Sequence, residues 1–310
     1  MRILVTGASG LLGLNLSLIA MRHGHEVVGW INTRTMRHAP FLSQTHDLYD
    51  LGSIADAVDA AEPDLIINCA AMANLETAEA NPDLAFRINA QAAAEIAATA
   101  LKLSVPVVHI STDAVFDGVR GDYSEEDLPH PINVYASSKL AGEQAVAKAN
   151  PLAIIARVNF YGWSLSGTRS LAEFFYNRLS EARRAKDGAP VNGFTDVFFC
   201  PLYVGHLAEL LLDMVDKDLH GLYHVVSCEK ISKYDFGVSI ARKFGFDEEL
   251  ITPISVKASE LQAVRSLNLT LQTTKLEAAL GRQLPNQSQA LEAFHAAWKI
   301  DLPAILKACL

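Results

Sequence analysis

The stretch MRILVTGASGLLG (1–13) decides how the chain is read. Residues 2–7, RILVTG, are apolar and rich in β-branched side chains, the pattern of a strand buried on both faces. The turn that follows, TGASGLLG (6–13), places Gly7, Gly10 and Gly13 in G-x-x-G-x-x-G spacing, and helical spacing runs from Leu11 to His23. Glycines here permit a tight turn, close backbone approach and close helix packing. A helix starting at such a turn aims backbone N–H groups and a positive dipole end at an anion, and between a strand and a helix that anion is read as a pyrophosphate.

Working outward, strand and helix patterns alternate. EVVGW (26–30) reads as a strand, Ile54–Ala61 as a helix and DLIINCA (64–70) as a strand. Pro82–Leu103 reads as an Ala-rich helix, VPVVHIS (105–111) as a strand, Val134–Lys148 as a helix and LAIIARV (152–158) as a strand. Repeated alternation predicts an α/β fold with a doubly wound parallel Rossmann sheet. The second half is less regular. Leu171–Ala185, Leu202–Val215, Tyr234–Phe244, Thr274–Leu280 and Gln289–Trp298 read as helices, and LYHVV (222–226) as one more sheet strand. The expected division is a dinucleotide-binding domain of 1–160 plus about 200–228. A smaller C-terminal substrate lobe takes about 161–199 and 229–310.

Composition narrows the function. The 310 residues are half apolar, enough for a substantial core. A net charge of -9 argues against nucleic acid as a partner. The opening shows no charged leader with an apolar core, and the longest apolar helical stretch is too short for a bilayer, so the cytoplasm is the expected compartment and no membrane partner is expected. The four cysteines are scattered without a C-x-x-C pair, so buried thiols are expected rather than a metal site or disulfides. Among ten histidines, His109 and His206 show no second ligand at metal spacing and are read as core or surface residues.

After the second strand comes GWINTRTMR (29–37). The acid that holds the ribose 2′-hydroxyl of NAD is missing, and Asn32, Arg34 and Arg37 are present instead. This favours NADP(H) over NAD(H), because a cation attracts the 2′-phosphate.

STDAVFDG (111–118) ends the strand at VPVVHIS with a hydroxyl pair and an acid, and NVYASSKLAGE (133–143) follows. Tyr135 and Lys139 are four apart, one helical turn on one face. A tyrosine near pKa 10 exchanges protons slowly at neutral pH, and a neighbouring ammonium is expected to lower that value. A hydroxyl such as Thr112 can hold a carbonyl against the tyrosine.

The order of glycine turn, Ser-Thr at a strand end and Y-x-x-x-K resembles the extended branch of the short-chain dehydrogenase/reductase superfamily. DLIINCAAMANLETAEANPDLAFRINA (64–90), STDAVFDG, PINVYASSKLAGE (131–143) and RSLNLTLQTTKLEAALG (265–281) resemble the dTDP-4-dehydrorhamnose reductase-like part of it. The resemblance implies an NAD(P)H-dependent reductase of a 4-keto sugar nucleotide. Thr112 is then the carbonyl hydroxyl, Tyr135 the acid/base, and Lys139 the partner of tyrosine and nicotinamide ribose. By the same resemblance, cofactor contacts fall on Gly7, Ser9, Gly10, Leu11, Leu12, Gly13, Asn32, Arg34, Asp47, Leu48, Cys69, Ala70 and Ala71. Asp113, Ala114, Phe160 and Thr195 face the substrate, and a homodimer is a further expectation.

Two departures bear on substrate. Sugar-nucleotide dehydratases of the superfamily carry Thr-Asp-Glu where this chain has Thr112-Asp113-Ala114, and alanine cannot act as a base. In the reductases position 114 is usually Tyr, and a Trp stands shortly after the Arg of RVNFYGWS (157–164), where this chain has Asn159 and Phe160. Thr195 and Asp196 fit either substrate contact or loop capping. Two other readings share the resemblance. One is a non-catalytic NADP-binding regulatory subunit, like the β subunit of methionine adenosyltransferase. The other is a sugar-nucleotide epimerase.

Overall fold

The computed structural model describes residues 1–32, 36–185, 190–258 and 266–309. Seven parallel strands form the central sheet: β1 (Arg2–Thr6), β2 (Glu26–Ile31), β3 (Leu42–Thr45), β4 (Leu65–Asn68), β5 (Val107–Thr112), β6 (Ile154–Val158) and β7 (Gly221–Val225). Their spatial order is 7-6-5-4-1-2-3. The chain starts at β1, winds out to β3, returns to β4 on the other side of β1 and winds out to β7. The switch point between β1 and β4 opens a crevice at the carboxyl ends of the strands, where such sheets bind ligands.

Burial on both faces explains the near-continuous apolar strands. Within β1, Ile3 and Val5 join one core and Leu4 the other. The first core includes α1 (Leu11–Arg22); the second includes α2 (Ile54–Ala61), α3 (Ala93–Leu103) and Val146 of α4 (Val134–Ala149). The predicted helix over 82–103 spans the right residues with a change inside: Pro82–Phe86 is α-helical, Arg87–Ala92 forms a π-helical turn, and α3 follows.

Beyond β6 lie α5 (Leu171–Arg184) and α6 (Val204–Asp216), then helices Lys233–Phe244, Thr274–Leu280 and Gln287–Lys299. The helix predicted from Leu202 begins at Val204, because Leu202 and Tyr203 pair with Phe160 and Tyr161 as a short parallel strand. Val191–Phe194 pairs in parallel with Ile251–Ile254. Aromatic side chains fill this region: Trp163 stacks on Phe294 at 4.3 Å and donates its indole N–H to the Phe294 carbonyl at 3.1 Å. Of the cysteines, Cys200 and Cys309 are buried as expected, Cys69 is half-buried and Cys228 is exposed; all four are free thiols.

Candidate active site

The glycine turn is built as its spacing requires. Gly7 has φ +65°, and a Cβ there would lie 2.9 Å from the backbone of Ala70. A Cβ at Gly13 would lie 2.3 Å from the Gly7 carbonyl oxygen, so α1 can sit on the turn only without a side chain at that position. Helix α1 has Gly10 at its N-cap, no side-chain cap and no acid in its first turn. Its leading N–H groups therefore face a cleft of about 590 Å³.

Most of the expected cofactor residues line this cleft: Gly7, Ser9, Gly10, Leu11, Leu12, Gly13, Asn32, Leu48, Cys69, Ala70 and Ala71. Asp47 is not among them. It is exposed, and its carboxylate accepts the Tyr49 N–H at 3.0 Å, so it caps a local turn while its neighbours His46 and Leu48 reach the cleft. Arg34 lies outside the described residues, and Arg37 is exposed.

Beyond the Ile110 end of the cleft, Thr112 and Tyr135 meet, with Lys139 one turn along the same helix; none of the three lines the cleft itself. Thr112 ends β5, and its hydroxyl accepts the Ala114 N–H at 3.2 Å. Asn133 caps α4 by accepting the Ala136 N–H at 2.8 Å, which sets Tyr135 in the first turn and Lys139 one turn on. The Thr112 hydroxyl hydrogen-bonds the Tyr135 phenol. The Lys139 ammonium donates to the Ile110 carbonyl at 2.6 Å and stands 3.4 Å from His109 Nε2.

The tyrosine departs from expectation in its electrostatics. Burial pushes Tyr135 up to about 12, aided by the Asp113 charge and opposed by the Thr112 hydrogen bond. Removing a phenolate from water is the dominant cause, and the one charge that acts on the phenol is that of Asp113. Burial also pushes Lys139 down to about 8, with Glu143 and Cys69 pulling it back up. The Cys69 thiol at this end is pushed up to about 12 by burial, which makes it an unreactive thiol.

A polar row runs beneath the trio. Thr6, Asn68 and His109 are register neighbours across β1, β4 and β5. The Thr6 hydroxyl donates to Asn68 Oδ1 at 2.6 Å, and the Asn68 amide meets His109 Nδ1 at 3.1 Å. Burial, reinforced by the Lys139 charge, drives His109 well below its ordinary pKa, so the ring is neutral. His109 is thus a hydrogen-bonded core residue, as the absence of a ligand partner in the sequence implied. Among the described residues no cluster of His, Cys, Asp or Glu could hold a metal ion.

Two turns along α4 from Tyr135, Glu143 forms a buried ion pair with Arg157, at 2.9 Å to Nε and 2.8 Å to Nη2, and accepts the Ser111 hydroxyl at 2.5 Å. Tyr135, Lys139 and Glu143 share one face of α4, so the Glu143 ion pair anchors the face that carries Tyr135 and Lys139.

The substrate-side residues divide. Asp113 is buried beside Thr112, accepting the Thr112 hydroxyl at 3.1 Å and the Asn159 amide at 2.6 Å. Asn159 is thus the amide partner of a buried carboxylate. Ala114 is half-buried, and Phe160 lines the cleft. Thr195 is exposed and donates to the Ile254 carbonyl at 3.3 Å, while Asp196 accepts the Ser255 hydroxyl and the Val256 N–H. Both therefore serve the loop beside the Val191–Phe194 strand pair.

Sequence reasoning passed over Asn89. It is fully buried in the π-helical turn, donates to Ser138 of α4 at 2.8 Å and accepts the Met72 N–H at 2.8 Å. It fastens the helix of Tyr135 and Lys139 to the loop that walls the cleft. The one visible signal was a buried-type polar residue inside an Ala-rich helical run.

This is the plan of an extended short-chain dehydrogenase/reductase. The family model described as RmlD substrate binding domain matches residues 1–300. The chain is 34% identical over 295 residues to the probable low-salt glycan biosynthesis reductase Agl14 of Haloferax volcanii, covering 95% of this chain and 97% of that protein. It is 29% identical over 291 residues to the β subunit of methionine adenosyltransferase 2 of Pongo abelii, covering 92% and 84%. The crystal structure of dTDP-4-dehydrorhamnose reductase from Bacillus anthracis in complex with NADP aligns with a TM-score of 0.83 at 26% identity, covering 95% of this chain and 98% of that one. The chain belongs to the RmlD substrate binding domain family, the dTDP-4-dehydrorhamnose reductase-like branch of the extended short-chain dehydrogenases/reductases. Among the described residues, no helix is long and apolar enough to cross a membrane.

Proposed function

We propose that the protein is a reductase of a 4-keto sugar nucleotide, with a nicotinamide dinucleotide in the glycine-lined cleft. The observation that carries this is the meeting of Thr112 and Tyr135, with Lys139 one turn on, beyond the Ile110 end of that cleft. The cradle fits the dinucleotide, since Gly7 and Gly13 let the turn and α1 close on each other and bring the uncapped, acid-free first turn of α1 to the cleft. When bound in reduced form, this cofactor supplies the hydride. The chain's own part is to hold the ketone and move the proton. Thr112 donates to the carbonyl oxygen and fixes it against Tyr135. As the carbonyl carbon gains hydride, the Tyr135 phenol gives its proton to the oxygen, yielding an alcohol and a phenolate that the Lys139 ammonium stabilises. A phenol pushed up to about 12 is fully protonated at neutral pH, as a proton donor in a reduction must be.

NADP(H) is favoured over NAD(H) because Asn32, rather than an acid, stands at the cleft end of β2. Residues outside the sheet from about 161–199 and 229–310 form the substrate lobe in this reading. With Ala114 and Phe160 where the branch usually carries larger or different aromatics, the sugar differs from the usual one. Tyr135→Phe tests the assignment: turnover of NADPH with nucleotide-linked 4-keto sugars should fall by at least a thousand-fold while NADPH binding stays within about three-fold. Loss of NADPH binding would mark Tyr135 as structural instead. The likeness to the methionine adenosyltransferase subunit supports a second reading, a dinucleotide-binding regulatory partner; tight NADPH binding without oxidation across a sugar-nucleotide panel would select it.

A further inference from the structure

We propose that Arg169 is a diphosphate clamp, a cation delivered from the segment after β6 to the N-terminal turn of α1. This rests on the reading of the cleft as a nucleotide site. Among the described residues lining the cleft, Arg169 is the one Arg or Lys, and no Asp or Glu lines it. Among the described residues, an anion entering there meets one guanidinium and no opposing carboxylate.

The location of Arg169 follows from its neighbours. The next residue, Ser170, donates its hydroxyl to the Gly162 carbonyl at 2.8 Å. Gly162 packs tightly on Val204 of α6 and lies in ordinary contact range of Leu11, where a Cβ would stand 3.6 Å from Cδ1. Asn15 of α1 donates to the Trp163 carbonyl at 2.9 Å. The segment is therefore laced to the first two turns of α1, beside the uncapped N-terminal turn that begins at Leu11.

The backbone under Arg169 is also held in a way its exposed position would not require. Glu173 is 1% exposed, and its carboxylate accepts from the backbone N–H groups of Ser164 at 2.6 Å, Arg169 at 2.8 Å and Ser170 at 3.1 Å, and from the Ser164 hydroxyl at 2.9 Å. A buried carboxylate is tolerated only with such a full set of donors. Here the set fixes the loop 164–170 in one shape, with the Arg169 side chain left to the solvent and the cleft. A guanidinium presents two parallel N–H donors that match a diphosphate oxygen pair, and a fixed backbone lowers the entropy lost in binding it.

The diphosphate could come from the dinucleotide or from a sugar nucleotide, and binding measurements separate the two. Arg169→Ala and Arg169→Lys are compared with the unaltered protein by NADPH fluorescence titration and by calorimetry with thymidine diphosphate. Both variants should keep the parent melting temperature, because Glu173 binds the Arg169 backbone and not its side chain. Arg169→Ala should raise one of the two dissociation constants by roughly ten- to a hundred-fold, and Arg169→Lys by less. A rise for NADPH alone assigns the clamp to the cofactor; a rise for thymidine diphosphate alone assigns it to the substrate. Unchanged constants for both, in a protein that binds NADPH, overturn the clamp. A parent protein that binds neither probe overturns the nucleotide reading of the cleft, and the clamp with it.

Discussion

Replacing Asp113 with Asn should stabilise the protein above about pH 6 and leave it unchanged below about pH 4. Burial raises the Asp113 carboxyl from 3.8 to about 6, against the pull of the Asn159 and Thr112 hydrogen bonds, the Lys233 charge and the Ala114 N–H. The Tyr135 phenol and the Cys200 thiol feel the same carboxylate from α4 and from the segment before Leu202. Between about pH 4 and 6 the native state retains a proton that the unfolded chain has already released. Native stability therefore falls as pH rises through that window and levels off above it. At about 1.36 kcal/mol per pH unit, the full penalty is about 3 kcal/mol, and about half has developed by pH 5. Asparagine has the same shape, can accept from Asn159 and can donate to the Thr112 oxygen, so it removes the penalty without opening a cavity. Urea unfolding of both proteins, followed by circular dichroism at pH 5, 6, 7 and 8, gives the difference directly. A gain that does not change with pH, or a variant less stable than the parent at pH 7, would refute the argument that the desolvated charge is the dominant cost at this position.

Two further outcomes follow from packing. Glu143→Ala strands the buried Arg157 guanidinium and should cost about 3–5 kcal/mol in urea unfolding, whereas changing both residues to Met should recover most of that loss. Losses that simply add would show that the pair is not coupled. Gly13→Ala drives a methyl group into the Gly7 carbonyl and should cost about 1–3 kcal/mol and weaken NADPH binding, both measurable on the same purified variant.

The sheet was legible wherever a strand is buried on both faces. β1, β4, β5 and β6 announce themselves as apolar runs, and the glycine spacing locates the cleft. β3 was not legible as a run, because LSQT lies at the sheet edge, largely exposed, and carries no apolar pattern. The trio was legible because order along the chain and spacing on one helix face encode it. Its electrostatics were not: whether an ammonium or burial decides the Tyr135 pKa depends on solvent exclusion by many side chains, and burial wins. Asn89 and Arg169 escaped for a related reason. Asn89 bonds Ser138, far along the chain, and Arg169 reaches the cleft through a loop shaped by Glu173. Asp47 is the reverse case, where proximity in sequence to two cleft residues does not bring its side chain inward.

The π-helical turn at Arg87–Ala92 has a consequence for reading this helix by face. Such a turn holds one residue more than an α turn, so everything beyond it is rotated by about 100° relative to an unbroken helix. The turn acts as a phase shifter. Downstream, Ile96, Ala97 and Ala100 are indexed to the sheet; within the turn, Asn89 is indexed to Ser138 and the cleft loop. One continuous rod thereby meets two neighbours whose directions an uninterrupted 3.6-residue period could not satisfy together. Spacing counted straight across residues 87–92 assigns the wrong residues to a shared face.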